Sequence, residues 1–398
     1  MNPTKQIFRH VLVFLGWMGI AGSLSAQTYS VGHSSMTFTD PVRSNRSVAC
    51  EIYYPATSTG DNTPIATDRK FPSIAFGHGF LMTWDAYKNV WNALVPQGFI
   101  VVFPKTEGSA SPSHGEFGSD LSFVLSALEN LGKNSGSMFF DRVDTLNCVM
   151  GHSMGGGAAF LSASKSGNID FLATLAPAET NPSAIQASAN ISIPALIIAG
   201  GNDCVTPPKD HQIPLYDALK SDCKALVSIA GGSHCQMAED NFLCNFGEAT
   251  CTPKPSISRS VQHQTQFQFL LPWLRFHLLN DAAAGKRFDS LVANNTAVNV
   301  STNCVLQPSN AIGGMGVYPV EVYPNPAEDE IYVRFSGSTQ IVSCHLISMD
   351  GRLLHAWNSL SADEAEIALT IPDSMREGCY VLRIQTGDQQ MHLPLMLR

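Results

Sequence analysis

Between Ala49 and about Ala293, short and almost wholly apolar runs alternate with longer segments in which apolar residues recur every three or four positions. The runs ACEIYYPA (49–56), FPSIAFGHG (71–79), GFIVVFPKT (98–106), LNCVMGHS (146–153), DFLATLAPA (170–178), PALIIAGGND (194–203) and ALVSIAGGSH (225–234) predict strands. Several lack polar alternation, as expected of strands covered on both faces of a largely parallel sheet. Between and after them, DLSFVLSALENLGK (120–133), IPLYDALKS (213–221) and TQFQFLLPWLRFHLL (265–279) carry helical spacing. The alternation predicts a doubly wound α/β domain with a mostly parallel central sheet flanked by helices.

The pattern changes after Leu291. VANNTAVNVSTNC (292–304) and PSNAIGGMG (308–316) are rich in Asn, Ser, Thr and Gly, which is linker chemistry. Beyond Tyr318 short strands such as EIYVRFSG, IVSCHLIS and CYVLRIQTG are separated by turns at MDGR and DSMREG, which predicts a small all-β sandwich. At the other end, Lys5 and Arg9 precede the apolar stretch VLVFLGWMGIAG (11–22) and the small residues of SLSAQ, the layout of a cleaved signal peptide ending near Ala26. The expected division is therefore a signal peptide at 1–26, an α/β domain at 27–304, a linker at 305–317 and a β-sandwich at 318–398.

With 44% hydrophobic and 14% charged residues the chain has a globular composition. A net charge of −9 gives no reason to expect nucleic acid, and no later segment approaches the roughly 20 apolar residues of a membrane helix. Export places the ten cysteines where disulfides persist.

The stretch VMGHSMGGG (149–157) fits G-x-S-x-G in a telling context, since it ends a predicted strand and opens a predicted helix. Such a turn exposes Ser153, and Gly151 and Gly155 leave room for the crowded backbone. A serine hydroxyl needs a general base oriented by a carboxylate. Asp203, just past ALIIAGGN, and His234, just past ALVSIAGGS, follow in the order Ser, Asp, His at the ends of later strands. Among competitors, Asp210 and His211 read as a solvated helix start, His263 and His277 as helix histidines, and His152 as a wall beside the turn. His78 reads as shaping the turn after an early strand. Oxyanion donors are expected from the backbone N–H of Met154 and of Phe80, beside Gly77 and Gly79.

These motifs, GHSMGGG, GGND and GGSH with GHGF upstream and GKRFDSLV after the last helix, resemble the α/β-hydrolase superfamily over about Tyr29 to Cys304. Within it they are similar to cutinase-like polyester hydrolases and the neighbouring dienelactone-hydrolase and chlorophyllase-type groups. The resemblance implies a Ser153–His234–Asp203 triad, an oxyanion pair at Phe80 and Met154, ester or polyester substrates such as poly(ethylene terephthalate), an open cleft, and no metal or organic cofactor. Ser153, where dienelactone hydrolases have cysteine, favours the serine esterases. One departure stands out. Where polyester hydrolases carry a Pro-Trp pair, this chain has Ala178 and Glu179, so an aromatic clamp would fall to Phe80, Trp84 or Phe242. The tail motifs VYPNPAEDEIYVRF, ISMDGRLL and EGCYVLRI resemble the sorting domain of the type IX secretion system of Bacteroidetes. That implies the secretion machinery as partner and an extracellular or cell-surface location; a carbohydrate-binding module is the competing reading.

Strand direction sorts the cysteines. Cys204 and Cys235 follow the candidate acid and base, Cys244 and Cys251 lie in the loop beyond, and Cys223 precedes a strand at the opposite edge. Disulfides are favoured over zinc, for which ligand spacing is missing; two bridges are expected among Cys204, Cys235, Cys244 and Cys251, and of the three possible pairings Cys204–Cys235 with Cys244–Cys251 is favoured. Cys148, inside a strand, reads as a buried thiol. The alternatives to a polyester hydrolase are a small-ester or lipid carboxylesterase, a peptidase on the same triad, and a surface-displayed binding protein on an inactive hydrolase fold.

Overall fold

The computed structural model describes residues 28–306, 320–335, 341–348, 352–358, 366–386 and 390–398. The expected signal peptide and most of the expected linker lie outside the described residues. The chain divides into two units, Met1–Pro308 and Ser309–Arg398.

In the first unit ten strands form one sheet: β1 Ser30–Asp40, β2 Arg46–Ala56, β3 Gly60–Asp61, β4 Phe71–Gly77, β5 Ile100–Pro104, β6 Val143–His152, β7 Phe171–Leu175, β8 Ala195–Gly200, β9 Lys224–Ile229 and β10 Val298–Thr302. Their order is β10-β9-β8-β7-β6-β4-β5-β2-β1-β3. The contiguous block β5-β4-β6-β7-β8-β9 is parallel throughout. Every residue of β4, β5 and β8 is buried, which is why these runs show no polar alternation. The chain runs from β4 to β5 on one side and then to β6 on the other, and such a reversal opens a crevice at the carboxyl ends of the strands.

Helices cover both faces. They are α1 Lys88–Leu94, α2 His114–Lys133, α3 Met154–Lys165, α4 Ala184–Ser188, α5 Gln212–Ala218, α6 Phe242–Glu248, α7 Arg259–Leu279 and α8 Ala282–Asn294. On one face, Leu121, Val124 and Leu128 of α2 pack with Ala158 and Phe160 of α3 and Leu215 of α5. On the other, Val90 and Leu94 of α1 pack with Phe269 and Trp273 of α7 and Phe288 of α8. Burial of each such aromatic side chain contributes about 1.5–3 kcal/mol.

Two edges depart from expectation. β1, which precedes the first predicted strand, pairs antiparallel with β2 along its whole length. The linker-like stretch 292–304 holds the end of α8 and strand β10, antiparallel to β9. Because β10 runs against β9, its end returns to the start of β9, and Cys304 there bonds Cys223 with Cα atoms 4.2 Å apart.

In the second unit strands β11 Val320–Tyr323, β12 Glu330–Phe335 and β15 Glu366–Thr370 form one antiparallel sheet. Strands β14 Leu353–Asn358, β13 Ile341–Ser348, β16 Gly378–Thr386 and β17 Gln390–Leu397 form another. Ile331, Val333 and Leu369 from the first meet Cys344, Leu346, Leu382 and Leu395 from the second in one core, which makes a sandwich.

Candidate active site

The register of the sheet brings the candidate residues together. Gly77, the last residue of β4, stands opposite Gly151 of β6, so the loop carrying His78–Phe80 borders the turn carrying Ser153. Gly200, the last of β8, stands opposite Ile229, the last of β9, and Asp203 and His234 leave from these adjacent ends.

Ser153 sits between β6 and α3 with φ 55° and ψ −122°, a left-handed backbone that a non-glycine residue enters only at a cost. The tightness of this turn explains the glycines. A Cβ on Gly155 would run into the carbonyl of Gly77, and one on Gly151 into the carbonyl of Gly155. The Ser153 carbonyl accepts the N–H groups of Gly157 at 3.0 Å and Ala178 at 2.9 Å, which fixes the turn against the loop after β7.

His234 Nδ1 lies 2.7 Å from Asp203 Oδ2, and its Nε2 lies 2.9 Å from Ser153 Oγ. A carboxylate only accepts, so Nδ1 carries the proton and Nε2 presents its lone pair to the serine hydroxyl. Asp203 is itself held: Oδ1 accepts the N–H groups of Val205 and Thr206 at 2.9 and 2.8 Å. Thr206 Oγ1 donates to Asp203 Oδ2 at 2.9 Å and lies 3.0 Å from His234 Nδ1. All three members are buried, with Ser153 the most accessible at 9%. Such a chain can move a proton from Ser153 to His234 while Asp203 faces the resulting cation.

The loop bearing His234 is gripped on every polar backbone group from Ser233 to Cys235. Gln262 of α7, fully buried, accepts the Ser233 N–H and donates to the Ser233 carbonyl, both at 2.8 Å. Glu248 of α6 accepts the N–H of His234 at 2.8 Å and of Cys235 at 3.3 Å. His152 Nε2 donates to the His234 carbonyl at 3.2 Å, and Arg259 to the Cys235 carbonyl at 2.5 Å.

His152 is more than a wall. Since its Nε2 must donate to a carbonyl, its Nδ1 accepts the Tyr87 hydroxyl at 3.0 Å, and Tyr87 in turn accepts the Gly79 N–H at 2.7 Å. Burial, with His234 nearby, holds the His152 pKa well below that of an ordinary imidazole, so the ring stays neutral. The Tyr87–His152 pair thus ties the loop before Phe80 to the loop of His234. His78 lies in the turn after β4 with Nδ1 2.9 Å from the Gly79 carbonyl and Nε2 2.9 Å from the Thr106 carbonyl, and its neutral ring can donate to one of the two. Met154 opens α3, where first-turn amides have no intrahelical acceptor, and Phe80 follows on the neighbouring loop with 48% of its surface exposed.

The other histidines have structural partners. His211 is part-buried, and its Nδ1 accepts the N–H of Glu179 at 2.8 Å, so it braces the loop after β7 instead of lying in solvent at a helix start. His263 meets the Ala238 carbonyl, and His277 packs against Phe171 and Trp273. Of the aromatic clamp candidates, Trp84 is occupied, donating to the Tyr53 hydroxyl and lying under Lys105. Phe242 is 79% exposed and stacks with Phe246, itself 74% exposed, on α6.

The disulfide pairing differs from expectation. The four cysteines form Cys204–Cys251 and Cys235–Cys244, each with Cα atoms 5.6 Å apart, in place of Cys204–Cys235 and Cys244–Cys251. The physical reason is α6. It folds back so that Cys244 faces the His234 loop while the residues past its end reach the Asp203 loop. Cys148 is a free buried thiol in β6, its pKa pushed well up by burial. Among the described residues one cluster has metal-ligand geometry, Cys223, His277 and Cys304, and two of its three members are joined as a disulfide.

Comparison with known proteins gives two family matches. Residues 20–251 match the PET hydrolase-like family and residues 321–396 a secretion system C-terminal sorting domain. Relatives include a cutinase of Thermobifida alba, 27% identical over 235 residues that make up 58% of this chain and 71% of that protein. A bis(hydroxyethyl) terephthalate hydrolase of Streptomyces coelicolor is 27% identical over 226 residues, 56% of this chain and 65% of that one. A cutinase of Thermobifida fusca is 26% identical over 185 residues, 46% and 56% respectively. The sorting domain indicates export to the cell surface or beyond, and no helix among the described residues is long and apolar enough to cross a membrane. With more than half of its length matched by one family model and the strand-end residues placed as above, the chain belongs to the PET hydrolase-like family of α/β hydrolases.

Proposed function

We propose that this protein is a secreted serine esterase of the cutinase type, with Ser153 as nucleophile, His234 as general base and acid, and Asp203 as the carboxylate that orients the imidazole. The observation that carries the proposal is the relay of 2.7 Å from Asp203 to His234 and 2.9 Å from His234 to Ser153. In the first step His234 Nε2 takes the hydroxyl proton as Ser153 Oγ attacks the ester carbonyl, and the N–H groups of Met154 and Phe80 bind the oxyanion. Collapse expels the alcohol, which receives its proton from His234, and leaves an acyl-enzyme. Water then attacks that ester with His234 again as base, releasing the acid and restoring Ser153.

For substrate we propose esters with an apolar acyl part, extending to polyesters. Phe80 and Val205, on the loops that carry the site, are 48% and 39% exposed and offer apolar surface at its rim. The presence of Glu179 where an aromatic would stack favours, as the second reading, soluble or lipid esters over aromatic polymer. The catalytic region ends by Pro308 and the tail serves the type IX secretion machinery. The test is hydrolysis of p-nitrophenyl butyrate by the wild type and Ser153→Ala, followed by a series from butyrate to palmitate and a polyester film. Loss of turnover in the variant alone supports the assignment. A variant with wild-type turnover contradicts it, and absence of turnover in both turns the reading to a binding protein.

A further inference from the structure

Helix α6 is anchored in an unusual way. None of its residues is buried, and Phe242, Leu243 and Phe246 are exposed. A seven-residue helix with no fully buried residue does not hold itself in place. It is fixed by Cys244, bonded to Cys235, by Cys251 just beyond its end, bonded to Cys204, and by its last residue, Glu248. The Glu248 carboxylate spans the His234 loop. Oε1 accepts the N–H of His234 at 2.8 Å and of Cys235 at 3.3 Å, and Oε2 accepts the Ser233 hydroxyl at 3.1 Å. The two disulfides therefore fasten this carboxylate to the residue after Asp203 and to the residue after His234.

We infer that Glu248 is a positioning residue for His234, holding its peptide so that Nε2 stays aligned on Ser153 while Nδ1 stays on Asp203. The inference rests on the reading of His234 as the base. The chemistry is hydrogen bonding to two backbone donors and one hydroxyl, and the disulfides pin the acceptor in place. Without it, His234 keeps Asp203 and the His152 contact to its carbonyl, but its own N–H and that of Cys235 lose their acceptor. Displacements of about 1 Å at a reacting group cost about a hundredfold in rate.

The experiment uses the full chain and p-nitrophenyl butyrate, with Glu248→Ala, Glu248→Gln, Glu248→Asp and Ser153→Ala. Competent sites are counted by the stoichiometric p-nitrophenol burst with diethyl p-nitrophenyl phosphate, so a misfolded fraction does not enter kcat. Glu248→Ala is expected to lower kcat per site ten- to a hundredfold with KM within about twofold. Glu248→Gln keeps an acceptor oxygen for both N–H groups and can donate to Ser233, and is expected within about fivefold of wild type. Wild-type kcat per site in Glu248→Ala, or equal losses in the Ala and Gln variants, overturns the inference. If Glu248→Ala yields no soluble protein, Glu248→Asp, whose carboxylate is withdrawn by one methylene, replaces it. It should lose kcat while Glu248→Gln does not, and equal kcat in Asp, Gln and wild type overturns the inference. An active Ser153→Ala would remove the site reading itself, whereas an inactive Ser153→Ala beside an unimpaired Glu248→Ala removes only the role of Glu248.

Discussion

Ser153 holds φ 55° because β6 and α3 meet there with no residue to spare; the glycine at 155 lets Gly77 of the neighbouring strand come against the start of α3, and the glycine at 151 lets the first turn of α3 fold back on β6. Gly155→Ala places a methyl on the Gly77 carbonyl, and we expect it to abolish soluble expression or reduce esterase activity more than a hundredfold, read by burst titration and turnover. Asp203→Asn keeps the shape but not the tautomer. An asparagine that donates toward Nδ1 turns the imidazole proton to Nε2, and kcat on p-nitrophenyl butyrate should fall by about 10³–10⁴. Tyr87→Phe removes the acceptor of the Gly79 N–H and the donor to His152 Nδ1, both buried, and should lower the unfolding free energy in urea by about 1–3 kcal/mol. The meeting of Ser153, Asp203 and His234 at neighbouring strand ends was legible in the sequence because each follows a strand-forming run at a fixed chemical landmark. Tyr87, Thr206, Gln262 and Glu248 were not. Each matters through side-chain contacts to a loop distant in sequence, and residue type alone carries no trace of those partners.

Among elements, the buried central strands were the most legible, since unbroken apolar runs between Gly- and Pro-rich turns leave few alternatives. The edges were hidden. β1, SVGHSSMTFTD, is largely polar or half-exposed, and β10, VNVST, shares the Asn and Thr content of a linker; each is a strand because β2 or β9 offers it an edge. The disulfide partners were hidden for a related reason, since the fold-back of α6 decides which of two nearby loops each cysteine faces. Cys223–Cys304 closes a separation of 81 residues at the end of the sheet away from Ser153. Replacing both with serine should cost about 2–5 kcal/mol, seen as a lower Tm, and leave kcat within about twofold. A large drop in kcat with Tm unchanged would contradict that separation of roles.

For the whole molecule, acid lability follows from its histidines. Burial lowers the pKa of His152, His211, His263 and His277, the last to about 4. These rings are neutral when folded, and the unfolded chain takes up the protons first. Stability is therefore full above the ordinary imidazole pKa of about 6.5 and declines as pH falls below it, with the share of His277 lost by about pH 4. Tm measured from pH 7 to 4 should fall, and His277→Phe, which suits the aromatic surroundings of Phe171 and Trp273, should flatten part of the slope. A truncation after Pro308 should keep esterase activity, because the relay and its supports all lie before that point, and should block export from the source cell. The two-unit character was legible from the loss of helical spacing after Leu291, although β10 forms a strand of the first unit within that polar sequence.

Acylation of Ser153 with His234 as base is the step on which the proposed function turns. Its most direct measurement is mass spectrometry of the protein treated with diisopropyl fluorophosphate, with peptide mapping and residual activity followed together. One equivalent of adduct on the peptide containing Ser153, lost activity in proportion, and no adduct in Ser153→Ala or, at the same exposure, in His234→Ala is the predicted result. Esterase activity that survives full modification of Ser153, or an adduct formed on another residue in step with inactivation, would contradict it.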